Sequence, residues 1–250
     1  MVRTGVVSVS FRNLSVDEII RITKESGLGA IEWGSDVHAP KGDAEKLEYI
    51  KMKMDEAGLY TSSYGTYFRI GETPIEELYG YISAAKILGT NVLRLWCGRK
   101  NYEDMDDNER KRILEEAAAV AKIAENERVI LGIECHVNTF TSQINGALSL
   151  IRYVDSPSFR MYWQPLINGV SNLEYASAIA PYAVNLHVFN WSKEGKHPLA
   201  EGLDAWREYL SFFNGTQHLL LEFMPDGLPK TLAAEAKALF ELIKTPIVTE

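Results

Sequence analysis

The chain has 250 residues, a length that one large α/β barrel fills without a second domain. Hydrophobic residues at 46% and charged residues at 24% sit near the globular average and argue against disordered, coiled-coil and disulfide-scaffold classes. Lysine and arginine total 26 against 34 acidic residues, and the resulting −8 disfavours nucleic acid and anionic membrane surfaces as partners.

Short β-branched runs read as buried strands and longer 3.6-periodic stretches as amphipathic helices, and the two alternate along the chain. The first strand is predicted at Gly5 to Phe11, followed by a helix opened by Ser15 and Glu18 as a capping box and ended at Gly27. The second is Ala30 to Trp33, with a helix from Asp43 to Ala57 closed by Gly58. The third is Leu59 to Tyr64, with a helix beginning near Pro74, and the fourth is Asn91 to Trp96, with a helix from about Asp107 to Glu127. Strands five to eight are read at Val129 to His136, Phe159 to Gln164, Val184 to Phe189 and His218 to Phe223. Their helices lie near Gln143 to Tyr153, Asn172 to Ala180, Leu203 to Phe213 and Thr231 to Lys244.

Eight strand and helix units imply a parallel sheet and are the number that closes a barrel, so the expected fold is a single (β/α)8 TIM barrel domain over residues 1–250. An open doubly wound sheet is the alternative, but neither GxGxxG nor GxxxxGK[ST] occurs. No linker, low-complexity segment or repeat divides the chain. The stretch MVRTGVVSVSF lacks the continuous apolar run of a signal peptide or membrane helix, and Cys97 and Cys135 form no CxxC pair. A cytoplasmic location is therefore expected, without a disulfide or thiolate zinc site.

Catalytic side chains in this architecture project from the carboxyl ends of strands, and the late strands here finish polar. Strand five reads VILGIECH and places Glu134 and His136 on one face by the two-residue period, with Cys135 turned to the helices. Strands six, seven and eight end YWQP, NLHVFNW and LLLEF, so Glu134, Gln164, His187 and Glu222 arrive at comparable depth. Two carboxylates, an imidazole and an amide oxygen suit Mn²⁺, Mg²⁺, Co²⁺ or Zn²⁺. The plainer reading is an internal ionic network in which Arg94 neutralises Glu134 and Glu32 takes part.

Aromatic residues gather near the same ends: Trp33, Tyr64, Tyr67, Trp96, Trp163 and Trp191, of which Trp163 and Trp191 flank ligand candidates and are expected to meet substrate. His136 is expected to hydrogen-bond a substrate hydroxyl or to orient a ligand. His38, Arg69 and His197 are read as loop residues over the barrel mouth, with WSKEGKHPLAEG as a lid, a phosphate-contacting loop or a solvated connection. His218, at the opposite end of its strand, is read as structural.

From IEWGSDVH through GIECHVNT, MYWQP and NLHVFNW to LLEFMPDG, the chain resembles the xylose isomerase-like barrels. That group includes sugar isomerases, ketose 3-epimerases, hydroxypyruvate isomerase, inosose dehydratase and, more distantly, endonuclease IV. The resemblance implies a divalent metal held by glutamate, aspartate, histidine and glutamate, and Glu134, His187 and Glu222 match three of those positions. Gln164 departs from the aspartate, and QPLIN lacks the histidine that commonly follows it. The resemblance further implies that Glu134 and Glu222 form the proton-transfer pair of an isomerase or epimerase acting on a small sugar, sugar phosphate or polyol. Two alternatives stand beside it, a non-catalytic sugar-binding barrel with a weakened metal site and a polyol dehydratase. An abasic-site endonuclease is disfavoured because SSYG and LRLWCG lack the extra histidines it needs. The expected partner is a small carbohydrate, and a homo-oligomer is compatible with the sequence.

Overall fold

In the computed structural model the described residues are 3–215 and 217–244, so both extremities of the expected 1–250 domain lie outside the described residues. The strands are β1 (Arg3–Val7), β2 (Ala30–Gly34), β3 (Tyr60–Ile70), β4 (Val92–Cys97), β5 (Ile130–Glu134), β6 (Phe159–Trp163) and β7 (Ala183–Val188). A two-stranded antiparallel ribbon of β8 (Asn190–Ser192) and β9 (Gly195–His197) follows, and then β10 (His218–Leu221). The helices are α1 (Val16–Glu25), α2 (Ala44–Ala57), α3 (Glu77–Ile87), α4 (Asp107–Glu127), α5 (Ile144–Val154), α6 (Asn172–Ile179), α7 (Leu203–Leu210) and α8 (Leu232–Lys244).

Strands β1 to β7 and β10 close into a parallel barrel in which each strand lies beside its predecessor and β1 pairs with β10. The expected (β/α)8 barrel is the fold. Local chemistry sets many of the boundaries. At α1 the Ser15 hydroxyl accepts from the Glu18 amide at 3.3 Å, while the Glu18 carboxylate accepts from the Ser15 amide at 2.8 Å. Gly58 closes α2 with a φ of 71°, which glycine alone adopts freely.

Several boundaries differ from the sequence reading, three of them with a visible cause or consequence. The first strand stops at Val7 because Ser8 leaves the ladder; its hydroxyl accepts from the Gly34 amide at 2.9 Å and a 3-10 turn covers Ser8–Phe11. Strand β3 continues to Ile70, passing a register shift between Gly65 and Arg69. The segment expected as a lid or solvated connection instead forms the β8–β9 ribbon.

Period-two alternation divides the side chains. Ile31, Leu93, Leu95, Ile133, Leu186, Leu219 and Leu221 face the helices in one continuous core, each worth roughly 1.5–3 kcal/mol when fully buried. Inside the barrel Val7, Val9, Tyr162 and Leu220 form a small apolar plug. Glu32, Arg94, Glu134, Gln164, His187 and Glu222 also point inward, toward the carboxyl ends of the strands.

Candidate metal centre

Because β5, β6, β7 and β10 are adjacent, with a register shift between β6 and β7 at Met161 and Tyr162, the inward residues at their carboxyl ends meet. His187 is fully buried, and its Nδ1 lies 3.4 Å from Glu134 Oε1, 3.4 Å from Gln164 Oε1 and 3.4 Å from Glu222 Oε2. One donor atom from each of Glu134, His187 and Glu222 falls within 4.8 Å of the others.

Donors ~2.1 Å from a shared centre at the tetrahedral angle lie about 3.4 Å apart, so the separation of Nδ1 from the three oxygens is compatible with a divalent metal, as is the chemistry of the set. Gln164 takes its place through its amide, since its Nε2 donates to the Cys135 carbonyl at 3.1 Å and leaves Oε1 facing His187.

On the far side of the imidazole, Nε2 faces Glu32 Oε1 at 3.4 Å. Glu32 also accepts from Ser63 Oγ at 2.8 Å, from the Tyr162 hydroxyl, and from Arg94 Nε at 3.5 Å. Gly65 keeps this junction open: a Cβ there would stand 2.9 Å from Glu32 Oε1 and 3.0 Å from Arg94 Nη2. Arg94 Nη1 reaches Glu134 Oε2 at 3.1 Å, an ion pair whose angle falls short of a hydrogen bond. The ionic network weighed as the plainer reading therefore exists, and it supports the donor set from below.

Burial alone would raise every carboxyl here, and the outcome depends on which cations oppose it. Glu32 is nevertheless held at about 2 by His187, Arg94 and the Tyr162 hydroxyl. Glu134 is likewise held low, chiefly by Arg94 and His187. Glu222 goes the other way: burial, reinforced by the negative charge of Glu134, outweighs the opposing pull of His187 and Arg94 and pushes it up. Burial opposes the charged form of His187, but Glu222, Glu32 and Glu134 outweigh it and raise the imidazole to about 10. A cation entering the site would displace that proton.

Above the donors is a cavity of about 110 Å³ lined by Arg12, Tyr67, Arg94, Trp96, Glu134, His136, Gln164, Trp191, Glu222 and Phe223, with Val9. Of the residues expected to meet substrate, His136 and Trp191 line it. The His136 Nδ1 donates to the Val137 carbonyl at 2.8 Å, so Nε2 carries the lone pair of the neutral ring. Trp163 does not: it points outward, fully buried against Trp206, Tyr209 and Phe213, as follows once Gln164 beside it points inward. His38 is buried against Trp33 with Nε2 donating to the Leu14 carbonyl at 3.2 Å, rather than exposed over the mouth. Arg69 stacks on Trp96 and donates to the Gly98 carbonyl at 2.6 Å, outside the lining. His197 sits in the ribbon, its Nε2 2.8 Å from Ser192 Oγ.

The sequence reading missed Arg12, Tyr162 and Phe223. Tyr162 carried a signal, lying two residues before Gln164 and so on its face; Arg12 and Phe223 carried none. Arg12 is fixed at the rim, donating to Asp36 at 2.8 Å and to the Tyr67 hydroxyl at 2.9 Å. Among the described residues no helix is long and apolar enough to cross a membrane.

Comparison with known proteins gives four similarities. A family model described as xylose isomerase-like TIM barrel matches residues 20–210. A 3-dehydroshikimate dehydratase of Bacillus anthracis is 23% identical over an alignment of 269 positions, covering 93% of this chain and 94% of the relative. The crystal structure of a probable dehydratase of that substrate from the same organism superposes with a TM-score of 0.82 at 19% identity, covering 96% of this chain and 99% of the other. A 3-keto-D-glucoside 4-epimerase of Escherichia coli superposes with a TM-score of 0.75 at 13% identity, covering 98% and 100%. At such identities the superpositions establish the shared fold.

Proposed function

The chain belongs to the family described as xylose isomerase-like TIM barrel, and from that premise we propose that it is a divalent-cation-dependent enzyme that takes a proton from the carbon beside a carbonyl in a small polyhydroxylated substrate. We take residues 1–250 as one such domain. The observation that carries the reading is the equal 3.4 Å spacing of three oxygens about His187 Nδ1. Glu134, Gln164, His187 and Glu222 would hold the cation. When bound, it supplies polarisation of the substrate carbonyl and stabilises the negative oxygen left after proton loss.

The protein's own residues do the rest. Glu222, pushed up by burial and by Glu134, is the carboxylate suited to accept a carbon-bound proton. Glu134 faces it across His187 and can return a proton on the other side, which gives isomerisation or epimerisation. Trp191, Phe223, Trp96 and Tyr67 offer apolar walls to C–H faces.

Dehydration is the second reading, and two observations favour it. The similarity to a dehydratase spans 93% of the chain, and Arg94 holds Glu134 ionised, which makes it a poor proton donor. In that reaction Glu222 takes the proton, the C–H pair becomes a double bond, and the neighbouring C–O bond breaks. The proton that Glu222 has taken then passes to the departing hydroxide, which leaves as water.

Protein purified without chelator should contain stoichiometric Mn²⁺, Co²⁺, Zn²⁺ or Mg²⁺ by elemental mass spectrometry. It would then be incubated in D₂O with 3-dehydroshikimate, a 3-keto-D-glucoside and L-ribulose. Deuterium gained without loss of water indicates isomerisation or epimerisation, and loss of water indicates dehydration. No metal after soaking, together with no turnover, would leave a non-catalytic sugar-binding barrel and defeat the enzyme reading.

A further inference from the structure

Phe223 adopts a φ of +53°, in the left-handed region that side chains other than those of glycine and asparagine avoid. The other described non-glycine residues with positive φ have local reasons. Arg128 and Asp155 are left-handed helix caps of α4 and α5, and Asn138 is of the residue type that tolerates this conformation. Phe223 is neither a cap nor a favoured type.

Its backbone shows what the conformation accomplishes. The Glu222 amide still follows the ladder, donating to the Val188 carbonyl at 3.1 Å, but the Phe223 amide leaves it and donates to Ser10 Oγ at 2.8 Å. In a regular strand residue 223 would point to the helices, opposite Glu222. The left-handed turn instead swings the ring into the cavity on the same side as Glu222. There it packs on Trp191 at 5.5 Å between ring centroids and 34° between planes, with Lys196 Nζ 4.8 Å from its own centroid. Across the cavity stand Trp96 and Tyr67, edge to face at 5.2 Å.

We propose that the strained turn exists to make Phe223 a substrate-contacting wall that, with Trp191, faces Trp96 and Tyr67 across the cavity. The proposal rests on the function proposed above for the same site. Strain retained at a functional position is a recurring arrangement, because a relaxed backbone would aim the side chain elsewhere.

Phe223→Gly and Phe223→Ala separate the backbone from the ring. Glycine accepts the turn without strain whereas alanine keeps it, so Phe223→Gly should melt about 2–4 °C above Phe223→Ala. Both variants should bind Mn²⁺ within about twofold of the wild type, since Glu222 keeps its ladder bond, and both should lose about tenfold or more in kcat/KM on a substrate that the wild type converts, chiefly through KM. Phe223→Tyr, which keeps the ring, should restore most of that loss. Wild-type kcat/KM in Phe223→Gly would overturn the wall, because the ring would then be dispensable. Weakened Mn²⁺ binding in both truncations would also overturn it, by showing that the residue acts through Glu222. Equal melting of the two truncations would remove the strain on which the inference stands. If the wild type turns over no member of the panel, the proposed function fails, while the melting comparison still decides whether strain is stored at this position.

Discussion

His187 Nε2 faces Glu32 Oε1 at 3.4 Å on the side of the ring opposite its three oxygen neighbours, so one buried carboxylate sets which imidazole nitrogen is left for ligation. A carboxylate behind a metal-binding histidine holds the ring and raises its basicity. Glu32→Gln should therefore weaken Mn²⁺ binding roughly 10–100-fold, read by titration calorimetry, while circular dichroism verifies that the barrel still folds. Unchanged affinity would mean that Glu32 serves the barrel and not the site.

Gln164 tunes the charge of the donor set. Gln164→Glu adds a third carboxylate beside Glu134 and Glu222, so without metal it should lower the melting temperature through like-charge repulsion. With Mn²⁺ the rise in melting temperature should exceed that of the wild type, because a more negative set binds a hard cation more tightly. Equal metal-induced shifts in the two proteins would remove Gln164 from the set.

Glu222→Gln keeps an oxygen for the metal and removes the proton acceptor. Turnover should fall by at least about 100-fold with the fold intact, measured as solvent deuterium incorporation on any substrate that the wild type converts. Retention of wild-type exchange would exclude Glu222 as the base.

Trp163 and Trp191 divide between stability and binding. Trp163→Ala should cost about 3–5 kcal/mol in denaturant unfolding by hollowing the contacts with Trp206, Tyr209 and Phe213. Trp191→Ala, at a half-buried cavity wall, should cost within about 1 kcal/mol yet raise KM. The opposite pattern would be incompatible with the orientation of Trp163 toward the helices.

His218 makes the fold sensitive to acid. Burial and the nearby Arg3 lower its imidazole from 6.5 to about 4. Its Nδ1 lies 2.9 Å from Asn185 Oδ1, an acceptor, so Nδ1 donates and a second proton on Nε2 would find no partner. Between those two values the unfolded chain binds more protons than the folded one. The stabilisation is thus complete above the unfolded value and lost as the pH falls toward 4, by roughly 2 kcal/mol once the exposed part of the ring is discounted. Urea unfolding at several pH values should show this slope, and His218→Gln should flatten it.

Much of the site is legible in the strand endings. Glu134, His187 and Glu222 each sit where a two-residue period turns them inward, and the strand order brings them together. The same period, applied to Gln164, places Trp163 on the outside. Phe223 breaks the period because its amide bonds to Ser10, whose position in sequence gives no hint of that contact. His38 is buried by packing against Trp33 and Leu14, which a loop sequence does not reveal.

What the sequence determines by itself is local: the capping box at Ser15 and the glycine end at Gly58, the alternation of β-branched and amphipathic runs, and the polar residues ending the last four barrel strands. These follow from backbone geometry within a few residues, and eight such units leave the barrel as the closed solution. The tertiary structure alone decides how charge is shared among Glu32, Arg94, Glu134 and His187, and which way Phe223 turns. Both depend on desolvation and on hydrogen bonds between elements distant in the chain, energies that come into existence only when the barrel closes.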